Sequence, residues 1–357
     1  MLKKELDLLL WIMDKNDKWI LASQLQKSVR RGLVDTALEA AEHLYNVDRA
    51  YFAYRLGVVI LEDMASASPY LSALDGENPW GARRFDTKKN EEELSRWLEA
   101  VRLCTQAEKS SLACEMQHCA WWLQDFENLH GPWLQVSEQQ ALDGMMDNNK
   151  LWWERALFSW AGAGTKQYKS NILPEREGSP DWQHTWESLS SFSDIRPFID
   201  EIGKKHVEAH TVFLPLARQM LEKNASREEK PLASPKVHGW LAAALDKHTR
   251  EGLSALKEYC RLNIQQGAKD LGPKRMEILG TLLFWTEGGA LSIERTSPEA
   301  ENIKKDIRKK WLGYHNLNGR ELFDTWYKPE LLFQAKQHAL SGSVWDKGSS
   351  LSKKCNI

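Results

Sequence analysis

Leu25-Gln26-Lys27-Ser28-Val29-Arg30-Arg31-Gly32-Leu33-Val34-Asp35-Thr36-Ala37-Leu38-Glu39-Ala40-Ala41-Glu42-His43-Leu44, followed by Tyr54-Arg55-Leu56-Gly57-Val58-Val59-Ile60-Leu61-Glu62-Asp63-Met64-Ala65, decides how the rest of this chain reads. Apolar residues recur at three- and four-residue steps, which predicts helices over about 21–31, 33–46 and 48–65. Gly32 divides the first two, at a position where a helix end commonly takes positive φ. The third helix is almost wholly apolar from Leu56 to Leu61 and should be buried, yet Arg55 and Glu62 stand on one of its faces. Charges on a buried helix are expected to be paired or used.

The same period continues outward. Residues 1–14 read as an amphipathic helix, and 66–90 as a long loop carrying Arg83-Arg84 and Lys88-Lys89. Further helices are predicted at about 91–108, 110–129, 137–160, 182–191, 195–222, 235–245, 247–263, 272–286, 298–311 and 328–339, with Pro215 kinking the fifth of these. Ala161-Gly162-Ala163-Gly164 opens an irregular segment to Asp181. The expected organisation is a helical region over 1–160, a loop over 161–181, a second helical region over 182–340 and a frayed tail over 341–357. No stretch alternates with period two, so the expected fold class is all-α, either an orthogonal helical bundle or an irregular α-solenoid. With 357 residues the chain can bury a large core.

Lys27-Ser28-Val29-Arg30-Arg31-Gly32, then Asp35 with Ala37-Leu38, Arg55-Leu56 and Glu62-Asp63, resembles the helical collar of the replication-associated recombination ATPases, relatives of clamp loaders. The resemblance covers about residues 21–66. It implies a helical fold and a DNA-metabolism context. It does not imply ATP hydrolysis, because no Gly-x-x-x-x-Gly-Lys-Ser/Thr loop is present to cradle phosphates. The alkylpurine DNA glycosylases built on HEAT-like repeats offer an analogy of fold alone for how such a scaffold holds DNA.

Composition narrows the classes. The net charge of −2 excludes a uniformly basic, DNA-coating protein. From Asp246 onward, however, nineteen Lys/Arg stand against fourteen Asp/Glu, so a nucleic-acid contact would be a local patch in that third of the chain. Leu8-Leu9-Leu10-Trp11-Ile12-Met13 stops at Asp14, far short of a membrane span, and Glu5 and Asp7 interrupt any leading apolar region. A cytoplasmic protein with no membrane partner is expected. The five cysteines include no Cys-x-x-Cys pair and read as reduced core thiols. Cys114, His118 and Cys119 do not share one helical face, and neither a metal site nor any other cofactor is expected.

Three polar constellations carry the possible chemistry. The first joins Lys27, Arg30, Arg31 and Arg55 with Glu62 and Asp63, either as an ion-pair network fixing helix crossings or as arginines holding a phosphate beside a water-activating carboxylate. The second is Asp246-Lys247-His248-Thr249-Arg250-Glu251-Gly252, where Asp246 suits an N-cap, His248 suits proton transfer and Arg250 suits phosphate binding. The third is Phe284-Trp285-Thr286-Glu287-Gly288-Gly289, with a carboxylate at a helix C-terminus where acids are disfavoured. Lys304, Lys305, Arg308 and Lys309, beside Trp311, form a basic run suited either to a solvated helix face or to phosphate contact.

Tryptophan is abundant, with seventeen in 357 residues. Most should be core, but Trp152, Trp153 and Trp160 lead into the glycine-rich 161–164 segment and suit a pocket for an extruded base. Two functions follow, the first preferred and the second its alternative. In one, DNA is the substrate: Lys27, Arg30, Arg31, Arg55, Arg250, Lys304, Lys305, Arg308 and Lys309 hold its backbone, and Glu62, Asp63, Asp246, His248 and Glu287 drive hydrolysis of an N-glycosidic bond, as in a DNA glycosylase. In the other, the chain is a non-catalytic collar-type module that assembles or recruits replication and recombination proteins.

Overall fold

The computed structural model describes residues 18–65, 91–122, 136–163, 213–222, 224–233 and 235–352. The expectations for 1–14, 66–90, most of the 161–181 segment, 182–212 and the last five residues lie outside the described residues. The fold is predominantly all-α. Its first helices are α1 (Lys18–Arg31), α2 (Val34–Val47), α3 (Arg49–Asp63), α4 (Glu91–Gln106) and α5 (Leu112–Trp122). Then come α6 (Glu138–Met146), α7 (Trp152–Ala163), α8 (Leu214–Glu222) and three short strands, β1 (Ser226–Glu229), β2 (Lys236–Val237) and β3 (Trp240–Leu241). A 3-10 turn over Ala242–Ala244 leads to α9 (Arg250–Gln265) and α10 (Arg275–Leu283), which ends in a π-turn over Phe284–Gly288. Strand β4 (Ile293–Thr296) precedes α11 (Pro298–Tyr314), α12 (Gly319–Trp326) and α13 (Pro329–Ser352).

Contacts divide the chain into two compact units, each assembled from segments far apart in sequence. The first draws on Met1–Phe52, Pro231–Ala290 and Arg320–Ile357; the second on Ala53–Lys230 and Leu291–Gly319.

In the first unit α1 is the central element. Every residue from Ile20 to Arg31 is buried, including Gln24, Lys27, Arg30 and Arg31. The small side chains Ala37, Ala40 and Ala41 on α2 let that helix approach α1 closely, with Leu25, Val29 and Leu44 fully buried. Gly32, at φ +70°, ends α1: its N–H donates to Val29 O and the Leu33 N–H to Ser28 O, the paired bonds of a Schellman ending. Helix α9 packs along α13, and Tyr259 of α9, fully buried, donates its hydroxyl to Trp326 O at the end of α12 and accepts from the Lys328 N–H at 2.9 Å.

In the second unit α6 and α7 form a helical hairpin in place of the single helix expected over 137–160. Asp147 Oδ1 accepts from the Asn149 N–H at 2.9 Å, an Asx turn that takes the backbone out of the helix. Gly144 makes the pairing possible, since a Cβ there would lie 2.5 Å from the Phe158 ring. Arg155, on α7, is buried and satisfied by Met145 O, Gln219 Oε1 and Glu299 Oε1. Pro215 falls in the first turn of α8, where its missing N–H breaks no helical bond, so within the described residues it begins a helix instead of kinking one.

Two further expectations are corrected. The 235–245 segment is not a helix: β2 and β3 pair antiparallel around His238 (φ +49°) and Gly239 (φ +88°), the two positive-φ positions of a type I′ hairpin turn. The second small sheet pairs β1 with β4, Ser226 opposite Thr296, and all four residues of β1 are exposed. No side of β1 is buried, so it leaves no alternating hydrophobic pattern. At the other end, α13 continues to Ser352, past the tail expected to fray from 341.

Candidate functional site

A polar cluster of the first unit is built on α1, whose buried polar side chains hold β3, the turn before α9 and the π-turn after α10. Gln24 Oε1 accepts from the Leu241 N–H at 3.0 Å, on β3. Lys27 Nζ pairs with Asp246 Oδ2 at 3.0 Å. Arg30 Nη1 donates to Gly288 O and Arg31 Nη2 to Glu287 O, both at 2.8 Å, and the Arg30 guanidinium lies over the Phe284 ring at 5.5 Å. A helix end leaves its last carbonyls unpaired, and the two arginines supply donors to the carbonyls that close the 284–288 π-turn.

That π-turn depends on its glycines. The Gly289 N–H donates to Phe284 O at 2.7 Å, and a Cβ at 289 would sit 2.9 Å from the Phe284 ring. Glu287, an acid at a helix C-terminus, is balanced by Lys336 from α13, whose Nζ lies 2.8 Å from Glu287 Oε2.

The turn before α9 is held equally tightly. Thr249, not Asp246, caps the helix: its hydroxyl accepts from the Gly252 N–H at 2.9 Å. The Asp246 carboxylate accepts from the His248 N–H at 2.9 Å and is thereby aimed back at Lys27. Gly252 admits this turn, because a Cβ there would lie 1.8 Å from Asp246 O. Burial opposes ionisation of Asp246, but the Lys27 ammonium, with His248 and its N–H, outweighs it and holds the carboxyl below its ordinary value. Burial pushes the Arg31 guanidinium below its usual range; Glu287 opposes that and Arg30 adds to it.

Two cavities adjoin the cluster. Asp246, His248 and Glu287 line a small one of about 40 Å³, so the structure brings together three of the five residues suited to catalysis. It holds water-sized groups only. A larger one of about 240 Å³ is walled by Arg31, Thr286, Glu287, Tyr327, Phe333 and Lys336 among others.

Glu62 and Asp63 belong to the second unit and are not among the described residues lining these cavities. Asp63 is fully buried, and Glu62 Oε1 accepts from Cys114 Sγ at 3.5 Å. Arg55 is half-buried on α3. Trp152 and Trp153 are half-buried on α7, and the Trp152 indole N–H donates to Asp306 Oδ2 at 2.8 Å. The side chain of Trp160 lies outside the described residues.

The cations divide by burial. Lys27, Arg30, Arg31 and Lys304 face inward, which removes them from backbone-phosphate contact and corrects that expectation; Lys304 pairs with Glu294 and, at 3.3 Å, with Glu301. Lys305 and Lys309 are exposed, Arg250 is 71% exposed beside Glu251, and Arg308 reaches Glu115 at 3.4 Å. Lys336, Tyr327 and Phe333 were missed by sequence reasoning, since nothing local marks a residue some fifty positions from Glu287 as its partner. Among the described residues no helix is long and apolar enough to cross a membrane. No protein-family model matches the chain, and no curated protein or solved structure matches it.

Proposed function

We propose that the chain is a non-catalytic, collar-type helical module that assembles or recruits proteins of DNA replication and recombination. One observation carries the reading: the cations of the collar-like run are used inside the fold, Lys27 tying α1 to the turn before α9 and Arg30 and Arg31 together tying it to the π-turn that ends α10. Side chains committed in this way serve a rigid scaffold, and they leave no basic surface at the run itself. The carboxylates beside them are also committed, Asp246 to Lys27 and Glu287 to Lys336, and the cavity that Asp246, His248 and Glu287 share admits water but no extruded base. Among the described candidates, Lys305, Lys309 and Arg250 remain exposed for a DNA contact.

A second reading, hydrolysis of the DNA N-glycosidic bond, is favoured by the larger cavity, where Glu287 stands beside the rings of Tyr327 and Phe333. Incubation of the full chain with plain and modified duplex DNA, followed by alkali, separates the two. The module reading expects intact DNA together with concentration-dependent assembly in sedimentation velocity. Alkali-sensitive breaks that disappear in Glu287→Gln would overturn it.

A further inference from the structure

The larger cavity of the first unit has a charge and a lining that select among small ligands. At about 240 Å³ it lies just under the range of roughly 300–1,000 Å³ in which drug-sized molecules are held. Its charged side chains are Arg31, Lys336 and Glu287, an excess of one positive charge, and the rings of Tyr327 and Phe333 stand among otherwise mostly apolar walls. Two of the three charges already satisfy each other, because Lys336 lies 2.8 Å from the Glu287 carboxylate. The surplus therefore resides on Arg31, which is 8% exposed. Its Nη2 donates to Glu287 O and its Nε weakly to Ala233 O at 3.5 Å, while Nη1 has no hydrogen-bond partner among the described residues. Nη1 is itself enclosed, so what Arg31 offers the cavity is the positive charge of its guanidinium and not a free donor.

We propose that this cavity binds a small organic monoanion, a carboxylate carried on a planar apolar body, with the carboxylate seated against Arg31 and the body between Tyr327 and Phe333. The position of Glu287 sets the selectivity. Its carboxylate lowers the net charge of the cavity to that of a single cation, which favours one negative charge on the ligand over two and repels an anionic group placed at the wrong end. The inference is independent of the proposed function, since it requires no DNA and no partner protein.

Calorimetric titration and thermal melting of the full chain test it, with benzoate and phenylacetate as monoanionic probes, benzamide as the neutral isostere and benzylamine as the cation. Saturable binding of the two anions with a raised Tm is expected, at least tenfold tighter than either control. Arg31→Gln should weaken the anions at least tenfold. Glu287→Gln keeps an acceptor for Lys336 and should tighten them several-fold, a change that a purely structural role for Glu287 does not produce. Equal or tighter binding of benzamide or benzylamine, or no binding of any probe at millimolar concentration, would overturn the proposal. So would anion affinity that stays the same or falls in Glu287→Gln.

Discussion

Lys27 Nζ lies 3.0 Å from Asp246 Oδ2, a pair 219 positions apart in sequence that closes the turn before α9 onto the central helix. Lys27 is almost wholly buried, while Asp246 keeps about a fifth of its side-chain surface. Removing one partner leaves the other desolvated and unpaired, which costs about 3–5 kcal/mol for a fully buried pair. Asp246→Asn should therefore destabilise the protein more than Lys27→Met, because it strands Lys27, the more deeply buried of the two charges, which the new amide compensates only in part. We expect about 3 kcal/mol for Lys27→Met, and a double variant less destabilised than the sum of the singles. Urea midpoints for the three variants check this; strict additivity would show that the pair does not interact.

The same pair sets a pH dependence. The folded-state pKa of Asp246 is lowered, so its contribution to stability is complete above the unfolded value of about 3.9 and is lost as pH falls through the lower folded value. The stability difference between the protein and Asp246→Asn should shrink as the pH falls below about 4. A difference that grows on acidification would contradict the sign.

Gly252→Ala should be among the most damaging single-methyl changes in the first unit. The added Cβ would fall 1.8 Å from Asp246 O, a backbone atom that cannot rotate away. Relief requires the 246–249 turn to move, which loosens both the Thr249 cap and the aim of Asp246 at Lys27. A loss of about 2–3 kcal/mol is expected, from overpacking together with the weakened cap. Comparison of Gly252→Ala with Gly267→Ala, where a Cβ meets nothing within 4 Å but φ is +89°, separates crowding from backbone strain.

What the sequence made legible was what short-range periodicity controls. Helices α1, α2 and α3 lie within about three residues of the spans expected from apolar spacing, and the burial of Leu56–Leu61 follows from their unbroken hydrophobicity. The same rule failed at Trp240-Leu241-Ala242-Ala243-Ala244-Leu245, whose residues favour helix, because His238 and Gly239 take the two positive-φ positions that turn β2 back on β3. His-Gly is a weaker hairpin signal than Asn-Gly, and the tertiary bond from Gln24 to the Leu241 N–H supports the alternative. At the site, polar residue types were visible but their direction was not. A lysine or arginine on an amphipathic segment reads as solvent-facing, and only coordinates reveal that Lys27, Arg30 and Arg31 turn inward to meet Asp246 and the carbonyls of Gly288 and Glu287.

Arg30 offers a test of geometry against charge. It is 2% exposed, donates to Gly288 O at 2.8 Å and covers the Phe284 ring at 5.5 Å. Lysine carries the charge but neither the planar fork nor the stacking face, so Arg30→Lys should not restore what is lost. A buried bond to a charged donor is worth about 1.5–3 kcal/mol, and both Arg30→Met and Arg30→Lys should lose an amount in that range. Thermal melts of the two variants decide it; a Lys variant as stable as the parent would mean that charge alone holds the π-turn.

In the second unit the fully buried Lys109 donates to Thr105 O at 2.9 Å and to Ala107 O at 2.7 Å. Burial pushes its ammonium down to about 8, against the opposing pull of Cys104 and Asp63, with Arg227 adding to the depression. The unfolded chain titrates this lysine near 10.4, so between about pH 8 and 10 the unfolded state holds a proton that the folded state has released. Stability attributable to Lys109 therefore rises with pH across that window, by about 3 kcal/mol for a shift of this size at 1.36 kcal/mol per unit. Cys104 works in the opposite direction, since burial raises its thiol to about 12 and the unfolded thiol ionises first. The cleanest measurement is thus made in a Cys104→Ala background, comparing urea stability with and without Lys109→Met at pH 7.5, 9 and 10. The Lys109 protein should gain on the Met variant as pH rises; a gap that stays flat or closes would show that the ammonium keeps its proton inside the fold.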